Sequence, residues 1–337
     1  MSKEPVRVGI IGCGNIGADH VDRVANQVSG SRVTALFDVD TARAQELARH
    51  VGAVALATAS EVINHPEVDA IIIASPGEFH ASLTLECIAV GKPVLCEKPL
   101  APTVKECEEV VAAEQSAGRR LVQVGFMRRN DVGYRHMKEN LDAGHIGDAL
   151  LLHCEHRNPD VPDSFTSEMS MTDSVIHEID TARWLLGEEI VRVRVISGKQ
   201  TPNAAAHLND PQLVILESES GVLISVEVFV NAKYGYDVRC EIVGSNGVTS
   251  LGSQDLGQYV SNVQRNVTMP GNWRIRFGDA YRAEIQDWIN GVHADEPRGA
   301  SAFDGLCATA VAQAAVRAVQ SGQPVDVPKP NKPAFYA

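Results

Sequence analysis

Val6-Arg7-Val8-Gly9-Ile10-Ile11-Gly12-Cys13-Gly14-Asn15-Ile16-Gly17 decides the fold of this chain. Val6-Arg7-Val8 reads as a buried strand, and Ala18 to Val28 reads as a helix. Between them Gly12, Gly14 and Gly17 stand in the spacing G-x-G-x-x-G. Each glycine has a physical task. Gly12 lets the chain turn sharply, Gly14 leaves room for a pyrophosphate to reach the backbone, and Gly17 lets helix and strand pack closely. The helix N-terminus then offers its N–H groups to the phosphates. A second strand, Val33 to Phe37, ends in Asp38, 21 residues after Gly17. A carboxylate there accepts hydrogen bonds from the adenine ribose hydroxyls. A 2′-phosphate would be repelled, and Val39 and Asp40 follow directly where an arginine would suit it, so NAD is expected over NADP.

Outward from this stretch, strand and helix alternate through residue 124. Helices are expected at Thr41 to His50, Phe79 to Val90 and Thr103 to Ala117, the last with Thr103 as N-cap and Glu106 closing a capping box. Strands are expected at Val54 to Leu56, Val68 to Ala74, Val94 to Cys96 and Leu121 to Val124. The run Ile71-Ile72-Ile73 suits a parallel strand covered on both faces. Such alternation predicts a doubly wound parallel sheet, a Rossmann domain over residues 1–124. From 125 to 337 the pattern changes to an α+β domain on an open, largely antiparallel sheet. Its strands are expected at Leu150 to His156, Val191 to Ile196, Gln212 to Glu217, Val222 to Val230 and Val238 to Val243. Glu219-Ser220-Gly221 and Asn246-Gly247 signal hairpin turns. Helices are expected at Gly133 to Ala143, Asp173 to Leu186, Ala280 to Val292 and Phe303 to Gln320, with the Pro-rich tail from Pro324 to Pro333 extended over the surface.

Composition bounds the function. The 337 residues suffice for two domains with real cores, and the net charge of −13 without a dense Lys/Arg tract argues against nucleic acid or an anionic membrane as partner. The start, Met1-Ser2-Lys3-Glu4-Pro5, shows no signal-peptide apolar region. The seven cysteines are scattered and lack C-x-x-C, which points to reduced core residues in a cytoplasmic protein.

Ligands of parallel sheets sit beyond the carboxyl ends of the strands. The cofactor-binding set expected here is therefore Gly12, Gly14, Asn15, Ile16, Gly17 and Asp38, then Ser75, Pro76 and His80 after the Ile71–Ile73 strand, and Glu97 and Lys98 after Val94–Cys96. Asp173 and His177 are four apart on an expected helix, so a carboxylate can orient an imidazole that takes the proton of an alcohol. The charge of Lys98 can favour the alkoxide. The segments 127–129, 153–158 and 233–237 offer a donor and acceptor mixture suited to a polyhydroxylated substrate. Two rival motifs fail. Tyr134 and Lys138 match Y-x-x-x-K, but the nucleotide loop lacks the T-G-x-x-x-G-x-G that accompanies it in short-chain dehydrogenases. His153 and His156 are three apart in an expected strand and point to opposite faces, so no metal site is expected.

These residues together resemble the Gfo/Idh/MocA oxidoreductases: Gly12 to Gly17, Glu97-Lys98-Pro99 and Asp173-x-x-x-His177. Leu121 to Arg129, His153 to Pro159, Val175 to Asp180 and Lys233 to Asp237 are similar to the inositol dehydrogenases within that family. The resemblance implies NAD-dependent oxidation of myo-inositol to 2-keto-myo-inositol (scyllo-inosose), in inositol catabolism. It implies Lys98, Asp173 and His177 as the catalytic group, with His177 as proton acceptor. Met127, Arg128, His156, Asn158 and Tyr236, with Asp173 and His177, would hold the substrate. A homotetramer packed through second-domain sheets is implied too, although residues 252–273 depart from the pattern. Two other readings share the fold: a dehydrogenase of another inositol isomer or a monosaccharide, and a non-catalytic NAD-binding sensor, against which the intact Lys98, Asp173 and His177 argue.

Overall fold

A computed structural model describes residues 4–253 and 255–336. Met1, Ser2, Lys3, Gln254 and Ala337, and with them part of the N-terminal reading, lie outside the described residues. The chain forms two compact units, one of residues 1–127, 281–309 and 331–337, the other of residues 128–280 and 310–330.

The first unit is built on six parallel strands: β1 (Val6–Ile11), β2 (Ser31–Phe37), β3 (Val54–Ala55), β4 (Ala70–Ile73), β5 (Val94–Glu97) and β6 (Val122–Gly125). Their spatial order is β6-β5-β4-β1-β2-β3, and Ala300–Ser301 adds antiparallel to β6. The order reverses beside β1, which opens the crevice where such sheets bind nucleotides. Every residue of β4 is buried, as the continuous isoleucine run requires. One covering layer comes from far along the chain: Ile285, Trp288 and Ile289 join Val8, Ile10 and Leu36 in one core. A parallel sheet buries both faces, so a returning helix is needed here. The capping box is present, with the Glu106 N–H donating to Thr103 Oγ1 at 3.2 Å and the Thr103 N–H to Glu106 Oε2 at 3.1 Å. A short helix at Ala59–Asn64, capped by Thr58, had no signal of its own in the hydrophobic pattern.

The second unit carries β7 (Ala149–Arg157), β8 (Ile190–Ser197), β9 (Gln212–Ser218), β10 (Leu223–Phe229), β11 (Asp237–Gly244) and β12 (Val248–Ser250), in the order β12-β11-β7-β10-β9-β8. Only β7 and β10 run parallel among these neighbours; the rest are antiparallel. Both hairpin signals sit where β9 meets β10 and β11 meets β12. Alternation gives the sheet one buried face, with Leu152, Cys154 and His156 inward on β7 and His153 exposed. The Pro-rich tail is extended and mostly exposed from Pro324 to Pro333, as expected, with Val325–Asp326 pairing with β8, and Ala334–Tyr336 beyond it forms a 3-10 turn. A solvent-exposed hairpin, β13 (Gly257–Ser261) with β14 (Gln264–Thr268), occupies the 252–273 region. The helix Ala302–Ser321 is long and apolar enough to cross a membrane, but 72% of its apolar window is buried within the protein.

The end of the chain is tied down by a buried carboxylate. Glu114 accepts the Leu121 N–H at 2.5 Å, the Val122 N–H at 2.7 Å and the hydroxyl of Tyr336, whose ring stacks on Phe303. Burial raises the Glu114 pKa, opposed by these three donors. Glu114→Ala orphans two backbone donors and a phenol. It is expected to cost about 3–5 kcal/mol in urea unfolding, against about 1 kcal/mol for Tyr336→Phe.

Candidate active site

In the first unit the glycine turn has the geometry its spacing implied. Gly12 has φ +92°, and a Cβ there would lie 2.6 Å from the Ala74 and Ser75 backbone. A Cβ on Gly17 would stand 1.9 Å from the Gly12 carbonyl oxygen. A Cβ on Gly14, by contrast, would meet nothing within 4 Å. The space beside Gly14 is therefore open, at the N-terminus of the helix Asn15–Asp22, which no side chain caps. That helix ends in a π turn, Arg23–Gln27, within the stretch expected to continue regularly to Val28. Asp38 is buried and oriented by two backbone donors, Cys13 N–H at 2.6 Å and Asp40 N–H at 2.7 Å. Arg43 stands 3.8 Å from Asp38, but its guanidinium also pairs with Asp40 at 3.1 Å, so two carboxylates share that one cation. The open cradle, the helix terminus and the oriented carboxylate fit NAD, with Gly12 to Gly17 toward the pyrophosphate and Asp38 toward the ribose.

Two loops after β4 and β5 are braced by histidines. Glu97 is buried, and its Oε1 lies 2.7 Å from His20 Nε2. Burial raises the Glu97 pKa, but His20, Lys98 and His80 together outweigh it and hold the carboxyl low. Glu97 also accepts the Lys98 N–H at 3.3 Å, just before the cis Lys98–Pro99 bond. His80 is buried between two carbonyls, Nδ1 at 2.7 Å from Pro99 O and Nε2 at 2.8 Å from Ser75 O. Carbonyl oxygens only accept, so both ring nitrogens carry hydrogen and the imidazole is a cation. Burial opposes that charge, while Cys96 and the two carbonyls favour it more strongly, and the pKa is raised to about 9. His80 thus ties the Ser75-Pro76 loop to the Lys98-Pro99 loop. Met127 is buried at the end of this unit.

In the second unit the helix expected from Asp173 is not uniform. Ser170–Val175 forms a π turn, and the regular helix runs Ile176–Leu186. Asp173 stands in the π turn and His177 one residue into the helix, across a junction of the kind common at functional sites. His177 neighbours His156, with ring centroids 6.4 Å apart, and Tyr236 lies edge-on to His156 at the same separation. Burial, against the charge of Arg128, pushes the Tyr236 phenol up to about 12. The sheet thus gathers His156, His177 and Tyr236 on one side. Asn158, the residue directly after β7, is half-buried and donates its N–H to Phe229 O at 2.9 Å.

Arg128 is fully buried and paired with Glu178, stacked over Phe277 at 5.5 Å and Tyr134 at 5.9 Å. Glu178 lies in the segment Val175 to Asp180 but has no expected role of its own in the sequence. Its signal was a carboxylate among apolar helix residues Val175, Ile176 and Ile179, a position that needs a buried partner. Arg157, on the opposite face from His156, binds Glu227 bidentately at 2.7 and 2.8 Å and reaches Tyr234 at 3.0 Å, so these residues build the sheet's wet face. Tyr134 lies buried beneath Arg128, while Lys138 pairs with Asp142 at 2.6 Å.

Residues 6–126 match the family described as an oxidoreductase family with NAD-binding Rossmann fold, GFO_IDH_MocA, and residues 138–327 match its C-terminal alpha/beta domain. The chain belongs to the Gfo/Idh/MocA oxidoreductases. It is 46% identical over 331 residues to inositol 2-dehydrogenase 3 of Saccharopolyspora erythraea, covering 98% of each chain. It is 44% identical over 333 residues to inositol 2-dehydrogenase of Ralstonia nicotianae, covering 98% of this chain and 99% of that one. Among solved structures of this family, myo-inositol dehydrogenase from Lactobacillus casei in complex with NAD(H) and myo-inositol superposes with a TM-score of 0.96 at 36% identity, over 99% of this chain and 100% of that one. This Gfo/Idh/MocA protein is accordingly an NAD-dependent oxidoreductase.

Gly17→Ala is expected to lose about 3 kcal/mol or more in urea unfolding, because the Gly12 carbonyl must move. Gly14→Ala should stay within about 1 kcal/mol of the parent yet weaken NAD binding on the order of tenfold, read by calorimetry. His80 has its folded pKa raised above the unfolded value of 6.5, so its stabilisation is complete below about pH 6.5 and is lost as pH rises through about 9. The stability gap between the parent and His80→Gln should therefore shrink between pH 6 and pH 10, by on the order of 3 kcal/mol in unfolding curves taken across that range.

Proposed function

We propose that this chain oxidises myo-inositol to 2-keto-myo-inositol, with NAD as the hydride acceptor, in inositol catabolism. The observation that carries this reading is similarity along almost the whole chain to proteins named inositol 2-dehydrogenase, joined to a second-unit cluster of polar groups suited to a ring of hydroxyls.

The chemistry removes two hydrogens from one carbinol group. The carbon-bound hydrogen leaves as hydride, which NAD accepts. His177 takes the hydroxyl proton, and Asp173, four residues before it, holds the imidazole in orientation and raises its basicity. The ammonium of Lys98 stabilises the developing alkoxide, with its backbone set by Glu97, which His20 in turn holds. Met127, Arg128, His156, Asn158 and Tyr236 hold the ring hydroxyls, Arg128 through its buried pair with Glu178. Gly12, Gly14, Asn15, Ile16, Gly17, Asp38, Ser75, Pro76, His80, Glu97 and Lys98 hold the cofactor. Residues 1–124 thus carry the dinucleotide site and 125–337 the substrate site and the subunit contacts.

The assembly in this reading is a homotetramer packed through the sheet of the second unit. In its support, the open face of that sheet carries Ile196, Leu213 and Leu223 exposed, Ile196 directly opposite Leu213. A cytoplasmic setting is supported by seven cysteines that are all buried and free, Cys154 Sγ among them donating to Cys240 Sγ at 3.8 Å rather than joined to it in a disulfide.

The test is NADH formation from myo-inositol, scyllo-inositol, D-chiro-inositol, glucose, xylose and lactate, repeated with NADP. Turnover is expected on myo-inositol with NAD. Lys98→Ala and His177→Ala should each lower kcat by about 10²–10⁴-fold, with NAD affinity retained. Near-parent rates in both variants would remove them from the catalytic group. NAD binding without turnover on any substrate would favour the sensor.

A further inference from the structure

Glu178 is one of the most deeply buried charges in the second unit. Arg128 Nη1 pairs with its Oε1. His156 Nδ1 lies 3.0 Å from both Oε1 and Oε2. The side chains of Arg128, His156 and Glu178 are 2%, 4% and 1% exposed. Burial raises the carboxyl's pKa, but the charge of Arg128, with the hydrogen bonds from His156 and Arg128, holds it low, so Glu178 is ionised. An ionised carboxylate only accepts hydrogen bonds. A lone pair on Nδ1 facing two anionic oxygens at 3.0 Å would set acceptor against acceptor, so the proton belongs on Nδ1. The guanidinium Nη2, 3.2 Å from Nδ1, can only donate and competes for the Nδ1 lone pair, but it is one longer contact against two carboxylate oxygens at 3.0 Å. Since Arg128 already balances the carboxylate's charge, no imidazolium is needed to neutralise it.

We propose that Glu178 is a positioning residue that fixes His156 with its proton on Nδ1, so that Nε2 faces the substrate as an acceptor for one ring hydroxyl. The proposal rests on the inositol reading for the identity of that hydroxyl, and on the carboxylate–imidazole geometry alone for the tautomer. Arg128 then acts on the substrate through Glu178 and His156. A neutral Nε2 acceptor requires a hydroxyl that donates, and a polyol lacking one at that place leaves a buried acceptor unpaired. The Glu178–His156 pair is thereby a determinant of which polyols are accepted.

Two measurements test this on the full-length enzyme. In the first, the protein is labelled with 15N-histidine, and the His156 signals are identified by their loss in His156→Asn. Protonated Nδ1 and unprotonated Nε2 are expected; a proton on Nε2 overturns the proposal. In the second, Glu178→Gln is measured in the parent and in the His156→Asn background. Glu178→Gln places an amide donor against Nδ1 and turns Nε2 into a donor. It is expected to raise KM for myo-inositol about 10- to 100-fold with KM for NAD unchanged, and Glu178→Asp should recover part of the loss. In the His156→Asn background the same change should alter KM less than about twofold, since both variants remove one device. An undiminished effect in that background overturns the proposal. Should Glu178→Gln fail to give a cooperative melting transition, the labelled parent decides by itself. If the parent leaves inositol unoxidised, the function reading falls, and the His156 signal still judges the tautomer.

Discussion

Residue 17 has no room for a side chain, and much of the first unit depends on that fact. The helix Asn15–Asp22 starts so close to β1 that a Cβ at residue 17 would lie 1.9 Å from the Gly12 carbonyl oxygen. Gly12 in turn bends at φ +92° against the backbone of Ala74 and Ser75, which follow β4. The ends of β1 and β4 are thereby drawn together beside the point where strand order reverses. The helix terminus faces the resulting crevice, and residue 14 leaves it open. A dinucleotide cradle is what remains when a right-handed crossover is packed this tightly.

A second constraint governs the polar groups. In a low-dielectric interior an ionised side chain without a partner costs several kcal/mol, so each must be matched. Glu97 meets His20, His80 meets two carbonyls, and Glu178 meets Arg128 and His156. The matching orients as well as stabilises. Lys98 leaves a backbone anchored by Glu97, the Ser75 and Pro99 carbonyls are joined through one imidazolium, and His156 is held from behind by a carboxylate. Groups held in this way need little reorganisation when charge changes beside them.

Legibility in the sequence followed the range of the interaction. The capping box of Thr103 and Glu106, the glycine spacing, the isoleucine run of β4 and the turns at Gly221 and Asn246-Gly247 are decided within a few residues, and they were readable. The alternation of His153 and His156 between faces is likewise a property of any strand. The π turn at Ser170–Val175 was not readable, because its hydrogen-bond slip leaves no periodic mark on so short a segment. Nor was the return of Ile285, Trp288 and Ile289 to the first sheet, since an apolar helix face does not name the surface it covers.

The site divides the same way. By itself the sequence determined that the chain has a parallel dinucleotide-binding sheet followed by a largely antiparallel one. It also determined that an acidic residue ends the second strand and that lysine, aspartate and histidine stand in a family pattern. Those are matters of spacing along one chain. Only the tertiary structure decided that Glu178, unremarkable beside His177, is the anion between Arg128 and His156. It alone decided that His80 is a cation between two carbonyls, that Arg43 divides its charge between Asp38 and Asp40, and that the tail is pinned by Glu114. Each of these depends on which groups are brought within about 3 Å of one another out of water, where a charge or a proton must be matched by a neighbour distant in sequence.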